Sequence, residues 1–174
     1  MGKNHFGEIV MKIKTIARGA VLTALIIALQ ALTKAGGQFV TGSCVNAVLA
    51  VGALAVSLPA AVGAAIISPF AAFLLGIGPQ VLPVVPMIAL GNIVYVVLLG
   101  KLRLHKALSL TIAANAKFLT LYFGVVQLLC RILPLADAQK AVFSAMFSWP
   151  QVVTAVIGGI VALAITPVLK KALR

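Results

Sequence analysis

Apolar runs of about 20 residues follow one another along nearly the whole chain, and few architectures can bury them. At 1.5 Å of rise per residue, about 20 helical residues cross ~30 Å of hydrocarbon. The chain has 174 residues, of which 63% are hydrophobic and only 9% charged, with a mean hydropathy of +1.19. A soluble domain of this length covers its surface with about a quarter charged residues. The composition therefore excludes a water-soluble globule. It implies an all-α integral membrane protein, a single transmembrane domain over residues 1–174.

Six spans are expected, at Ile16–Ala35, Phe39–Leu58, Ala60–Ile77, Met87–Gly100, Ala107–Leu133 and Gln151–Leu169. Gly36-Gly37, Pro59, the proline-rich GPQVLPVVP and the basic turn KLRLHK separate the first five. The fifth and sixth are joined by a longer polar connection. In it Val142, Phe143, Met146 and Phe147 have the spacing of a short amphipathic helix at the outer interface. The basic start MGKNHFGEIVMKIKT leads into the first span without a small-residue cleavage site, so that span reads as retained rather than as a signal peptide.

The net charge of +12 is not a nucleic-acid signal, because the basic residues bracket the apolar runs. With the N-terminus inside, the inner face holds Lys3, Lys12, Lys14, Arg18, Lys101, Arg103, Lys106, Lys170, Lys171 and Arg174. The outer face holds only Lys34, Arg131 and Lys140. This asymmetry predicts both termini in the cytoplasm and an even number of spans. Cys44 and Cys130 then both lie toward the outer side, as free buried thiols or as a bridge, and their spacing has no metal-ligand pattern.

The acidic side chains number two, Glu8 in the basic start and Asp137 in the outer connection. Neither falls in a span, and His5 and His105 lie near the inner surface. A proton-coupled carrier usually needs an intramembrane acid or histidine, and catalysis needs an acid–base pair or an activated nucleophile. No such set is in place, so no enzyme, metal or cofactor is expected. A protein that binds a small molecule and takes its energy from a partner fits better.

Lys117 alone among the basic residues falls deep inside a span. Thr120, Gly124, Gln127 and Arg131 follow it at helical spacing, which predicts one polar face rising outward from it. Asn115 lies about 200° around the helix from Lys117, on another wall. An ammonium in hydrocarbon costs several kcal/mol unless it is paired or hydrated, by roughly the insertion scales. Two readings stand: a structural lysine bonded within a polar seam, or a ligand-binding lysine whose negative partner arrives with the ligand. Other spans carry polar seams too: Gly42, Asn46, Ala50 and Ser57; Asn92 with Tyr95; and Gln151, Thr154, Gly158 and Ala162 behind Trp149. Each can be a helix–helix contact, and Trp149 an interfacial anchor. Their concentration in the outer halves of several spans points to a shared outer pocket, which Gln38, Thr41 and Gln80 would help to close. The candidate binding residues are thus Lys117, Thr120, Gln127, Arg131, Asn46, Asn92, Gln80, Gln151 and Trp149.

Along the first span Ala17, Ala20, Ala24, Ala28, Ala31 and Ala35 recur at steps of three and four. Such a stripe lets another helix approach closely, either within this chain or in a partner. With the alanine helix ARGAVLTALIIALQA, the stretches TGSCVNAVL, SPFAAFLLGIGPQVLPVVP, IALGNIVYVVLLG, AANAKFLTLYFG and FSWPQVVTAVIGG, the chain resembles the substrate-binding S component of an energy-coupling factor (ECF) transporter. The resemblance implies a six-helix bundle in a bacterial cell membrane that holds a water-soluble vitamin or precursor near its outer surface. It implies docking through Ala20, Ala24 and Ala28 onto a transmembrane coupling subunit driven by two cytoplasmic ATPases. The aromatic pocket of the flavin and thiamine binders has no counterpart here, which argues against those ligands. A self-sufficient small carrier or channel, or a structural membrane subunit, are the rival classes.

Overall fold

The computed structural model describes residues 2–172, with side chains from residue 7 onward, and the described residues are helical without strands. Lys3, His5 and Arg174 fall outside the described side chains. Helix α1 spans Gly2–Thr33, so the basic start and the first apolar run are one continuous helix, about 48 Å long. A short turn over Lys34–Gly36 leads to α2, Gly37–Val51, which ends in a π-helical turn over Gly52–Val56. Gly37 has φ of 71°, which only glycine adopts without strain, and the chain reverses there. The reversal is recorded by side-chain contacts along both legs. Thr33 and Thr41 bond each other near the turn, a Cβ on Gly52 would press on Leu22, and Arg18 reaches the carbonyl of Val56 at 3.5 Å.

Helix α3 covers Leu58–Leu74, α4 Val84–Lys101 and α5 Lys106–Leu121, continued by a π-helical stretch over Tyr122–Leu129 and a last turn, α6, Cys130–Ile132. Helix α7 is Asp137–Met146, and α8 is Pro150–Ala172. Two expected boundaries shift for local reasons. The third span stops at Leu74, because Gly76 turns into the left-handed region at φ 67°. The fourth starts earlier, at Val84, because Pro86 lies in the first turn, where no intrahelical N–H is needed.

Among the described residues, four helical segments are long and apolar enough to cross a membrane: Gly7–Val56, Val84–Lys101, Lys106–Ile132 and Asp137–Ala172. Leu58–Leu74 is a fifth, shorter apolar helix of 17 residues. This is four qualifying segments against the six spans expected from sequence. The difference arises because the first two runs are helically joined around Gly37 and α3 sits at the lower limit of spanning length.

Helices α2 and α8 make the most extensive pairing in the protein. Their seams meet residue for residue: Gly42 faces Thr154, and a Cβ on Gly158 would lie 2.6 Å from the Ala47 nitrogen and 2.7 Å from the Ser43 carbonyl oxygen. No side chain fits there, so glycine is what lets these backbones touch and holds Asn46 beside Thr154. The main core joins Leu22 and Ile26 of α1 with Leu49, Ala61, Ala64, Val96, Ala113 and Ala155. A second cluster lies at the far end, where Phe143 and Phe147 at the end of α7 pack on Val84, Leu121 and Val125. The short helix expected there forms, but its two phenylalanines are buried in protein while Val142 stays outside.

Candidate functional site

A cavity of about 240 Å³ opens among the helix ends at the turn of α1 into α2, the loop after α3 and the end of α7. These ends lie away from Arg18 and Val56, and so at the end of the bundle that the charge pattern assigns to the outside. The loop after α3 closes one side through Ile77, Gly78 and Pro79, and Gly78 enters the left-handed region at φ 79° to fold it inward. On the other side the Met146 carbonyl accepts from Gln38 Nε2 at 2.5 Å and from Gln151 Nε2 at 3.0 Å, tying α2, α7 and α8 together over the cavity. Val45, Ala72, Val85 and Ile88 supply apolar wall.

Lys117 forms the floor and is 3% exposed. Its Nζ donates to Asn46 Oδ1 at 2.5 Å and to Asn92 Oδ1 at 2.8 Å, and lies 5.5 Å from the centre of the Tyr95 ring. Asn46 Nδ2 in turn donates to Thr154 Oγ1 at 3.2 Å, and the Tyr95 hydroxyl to the Ala155 carbonyl at 2.7 Å. The polar seams of four helices thus converge on one ammonium. Both acceptors are neutral amides, and no carboxylate lines the cavity. The two acidic side chains are elsewhere: Glu8 is exposed on α1, and Asp137 pairs with Lys140 at 3.5 Å.

Of the candidate binding residues, Lys117, Asn46, Asn92 and Gln151 meet in this cavity, together with Gln38 and Thr41. Thr120, Gln127, Arg131, Gln80 and Trp149 are not in its wall. The single polar face expected above Lys117 is broken by backbone geometry. The buried face of the fifth span runs through Ala113, Lys117, Leu121, Val125 and Cys130, and its last step is five residues because the segment is π-helical there. Gln127 and Arg131 are turned off the Lys117 face and bond each other at 2.6 Å, with Gln127 also on Tyr122. Thr120 returns its hydroxyl to the Ala116 carbonyl. Gln80 is exposed and bonds only the Gly78 carbonyl, at 3.4 Å. Trp149 is 63% exposed and packs on Phe39 at the outer surface of the helices. Asn115 is exposed on another wall, as its angular position implies. Cys44 and Cys130 are free.

Sequence reasoning did not single out Gln30, Lys34, Ser68 or Pro69 as cavity residues, yet all four line it. Gln30 was legible in principle, since it shares a helical face with Leu22, Thr23 and Ile26, and that face is buried. The alanine stripe takes the opposite side: Ala17, Ala20, Ala24, Ala28, Ala31 and Ala35 are all exposed, so none of the described helices packs on it.

Fold and site together define a helical protein of membrane-spanning character with an open, largely apolar cavity at one end and a cluster of polar side chains at its floor. Comparison with family models, with curated proteins and with solved structures gives no match to this chain.

Proposed function

We propose that this chain is the substrate-binding S component of an ECF-type importer, taking up a small water-soluble vitamin or precursor that carries a carboxylate or another electron-rich group. The observation that carries the reading is Lys117, a buried ammonium on the floor of a cavity whose wall holds no carboxylate. A ligand with negative or electron-rich character is the partner that this site lacks. The cavity volume of about 240 Å³ matches roughly eight waters at ~30 Å³ each, room for a single ring with short substituents.

The remaining features fit the same reading. The first apolar run doubles back at Gly37, so we count it as two traverses. With α3, α4, the α5–α6 run and α8 that makes six, an even count that keeps both termini on one side, and the basic-residue asymmetry supports the cytoplasm as that side. Thiol labelling of single cysteines from outside sealed cells is expected to reach a position beside Lys140 and to spare one beside Arg103; labelling at Arg103 overturns the topology. The exposed alanine face of α1, at Ala20, Ala24 and Ala28, is available to the transmembrane coupling subunit, whose two cytoplasmic ATPases supply the energy that a chain without intramembrane acids does not.

Native mass spectrometry of the protein purified from its host tests the proposal directly. The expected spectrum shows an adduct of a small acidic or carbonyl-bearing molecule, lost from Lys117→Met. A spectrum free of any adduct, together with unaided uptake against a gradient in liposomes, would mark the chain as a self-sufficient carrier.

A further inference from the structure

We propose that the basic end of the bundle seats an anionic phospholipid, its headgroup held by Lys12 and Arg18 and an acyl chain in the groove between α1 and Pro59. This surface lies at the opposite end from the cavity, so the reading stands independently of the importer proposal. The buried face of α1 runs from Gln30 through Ile26, Thr23 and Leu22 to Gly19, where a Cβ would meet the Ala60 carbonyl oxygen at 3.6 Å. Helix α3 begins there, at Leu58, but α1 extends more than four turns beyond it. The same face, one and two turns further on, is left without a partner helix. Met11, Lys12, Thr15 and Ile16 there line an open groove whose other wall is Pro59.

Depth and charge choose the occupant. The first apolar run begins at Ile16, so the groove straddles the boundary between headgroups and hydrocarbon. Its wall is apolar at Met11, Ile16 and Pro59, and Met11 and Ile16 are both 71% exposed. Thr15 returns its hydroxyl to the Met11 carbonyl at 3.0 Å, so Lys12 supplies the groove's charge. Arg18 stands six residues along the helix, about 9 Å of rise. Its guanidinium bonds the carbonyl of Val56, three residues before Pro59, at 3.5 Å. One N–H is used there, which leaves four for a phosphate. Lys14, Lys101, Arg103 and Lys106 are exposed at the same end, with Glu8 as the one acid among the described side chains there. Two copies of this chain meeting here would bring like charges together. A phosphodiester with acyl chains matches both the cations and the apolar wall.

The test is native mass spectrometry of the purified full chain in neutral detergent, titrated with dioleoyl-phosphatidylglycerol or with the zwitterionic dioleoyl-phosphatidylcholine. One phosphatidylglycerol is expected to bind about tenfold tighter than phosphatidylcholine, the effect of one or two basic residues at a membrane surface. Lys12→Gln combined with Arg18→Gln removes the preference. Thr15→Trp, which fills the groove without changing charge, displaces the lipid. Lys170→Gln combined with Lys171→Gln, outside the groove, keeps both binding and preference. Equal affinity for the two lipids overturns the proposal. A preference lost with Lys170 and Lys171 but kept without Lys12 and Arg18 belongs to the basic end at large and overturns the groove. Phosphatidylglycerol binding that survives Thr15→Trp, or that millimolar glycerol 3-phosphate displaces, overturns the acyl seat. A dimer broken by Thr15→Trp gives the groove to a second copy instead.

Discussion

Lys117→Met is expected to abolish high-affinity ligand binding while the chain remains a monodisperse helical protein in detergent. The substitution keeps the aliphatic stem in the core and removes the one cation in the cavity floor. Removing one member of a buried charged pair costs on the order of 3–5 kcal/mol, equivalent to two to four decades in affinity. Part of any stability loss has a separate origin, because the Asn46 and Asn92 carbonyls lose their common donor. Isothermal titration with the ligand recovered from the native protein separates the two effects. Lys117→Arg should restore binding in part, since the guanidinium is larger and forked and does not fit between the two amides. Asn115→Ala, on an exposed face of the same helix, should leave affinity unchanged. If Lys117→Met lowers thermal stability but not affinity, the lysine is a structural tie between α2, α4 and α5, and the electron-rich ligand goes with it.

The second large effect is expected at the alanine stripe. Ala20→Trp or Ala24→Trp places a large ring on a face that none of the described helices covers. The fold and ligand binding of the isolated chain should therefore survive. Assembly with the coupling subunit proposed above should not, because close helix approach in a membrane depends on small residues at the contact. Co-purification with the coupling subunit and ATP-driven uptake in reconstituted vesicles are the measurements, and both should fall to background. Ordinary assembly in Ala24→Trp would remove the docking role from this face. Loss of ligand binding by the isolated chain would show that the substitution acts inside the bundle instead.

Much of this protein follows from period and composition. Helical, membrane-spanning character follows from runs such as AVLTALIIAL and IVYVVLLG, which cannot be covered by water in any fold. Lys117 stands out because a lone cation in such a run is costly wherever it points. Asn46, Asn92 and Gln151 are legible as polar positions facing other helices, since an amide on the lipid side would be unsatisfied. Three matters were decided only by the tertiary structure. Backbone geometry took Gln127 and Arg131 out of the lysine's face: a π-helical segment inserts an extra residue per turn, and no side-chain pattern announces it. Packing distance chose which seams meet, because Gly158 lets α8 touch the backbone of α2 and brings Thr154 to Asn46. Long-range closure brought Gln30, Ser68 and Met146 around the same space, from three helices that are remote in sequence. Sequence period tells which way a residue faces on its own helix. What stands opposite it depends on how closely the helices pack and in what order they surround the cavity.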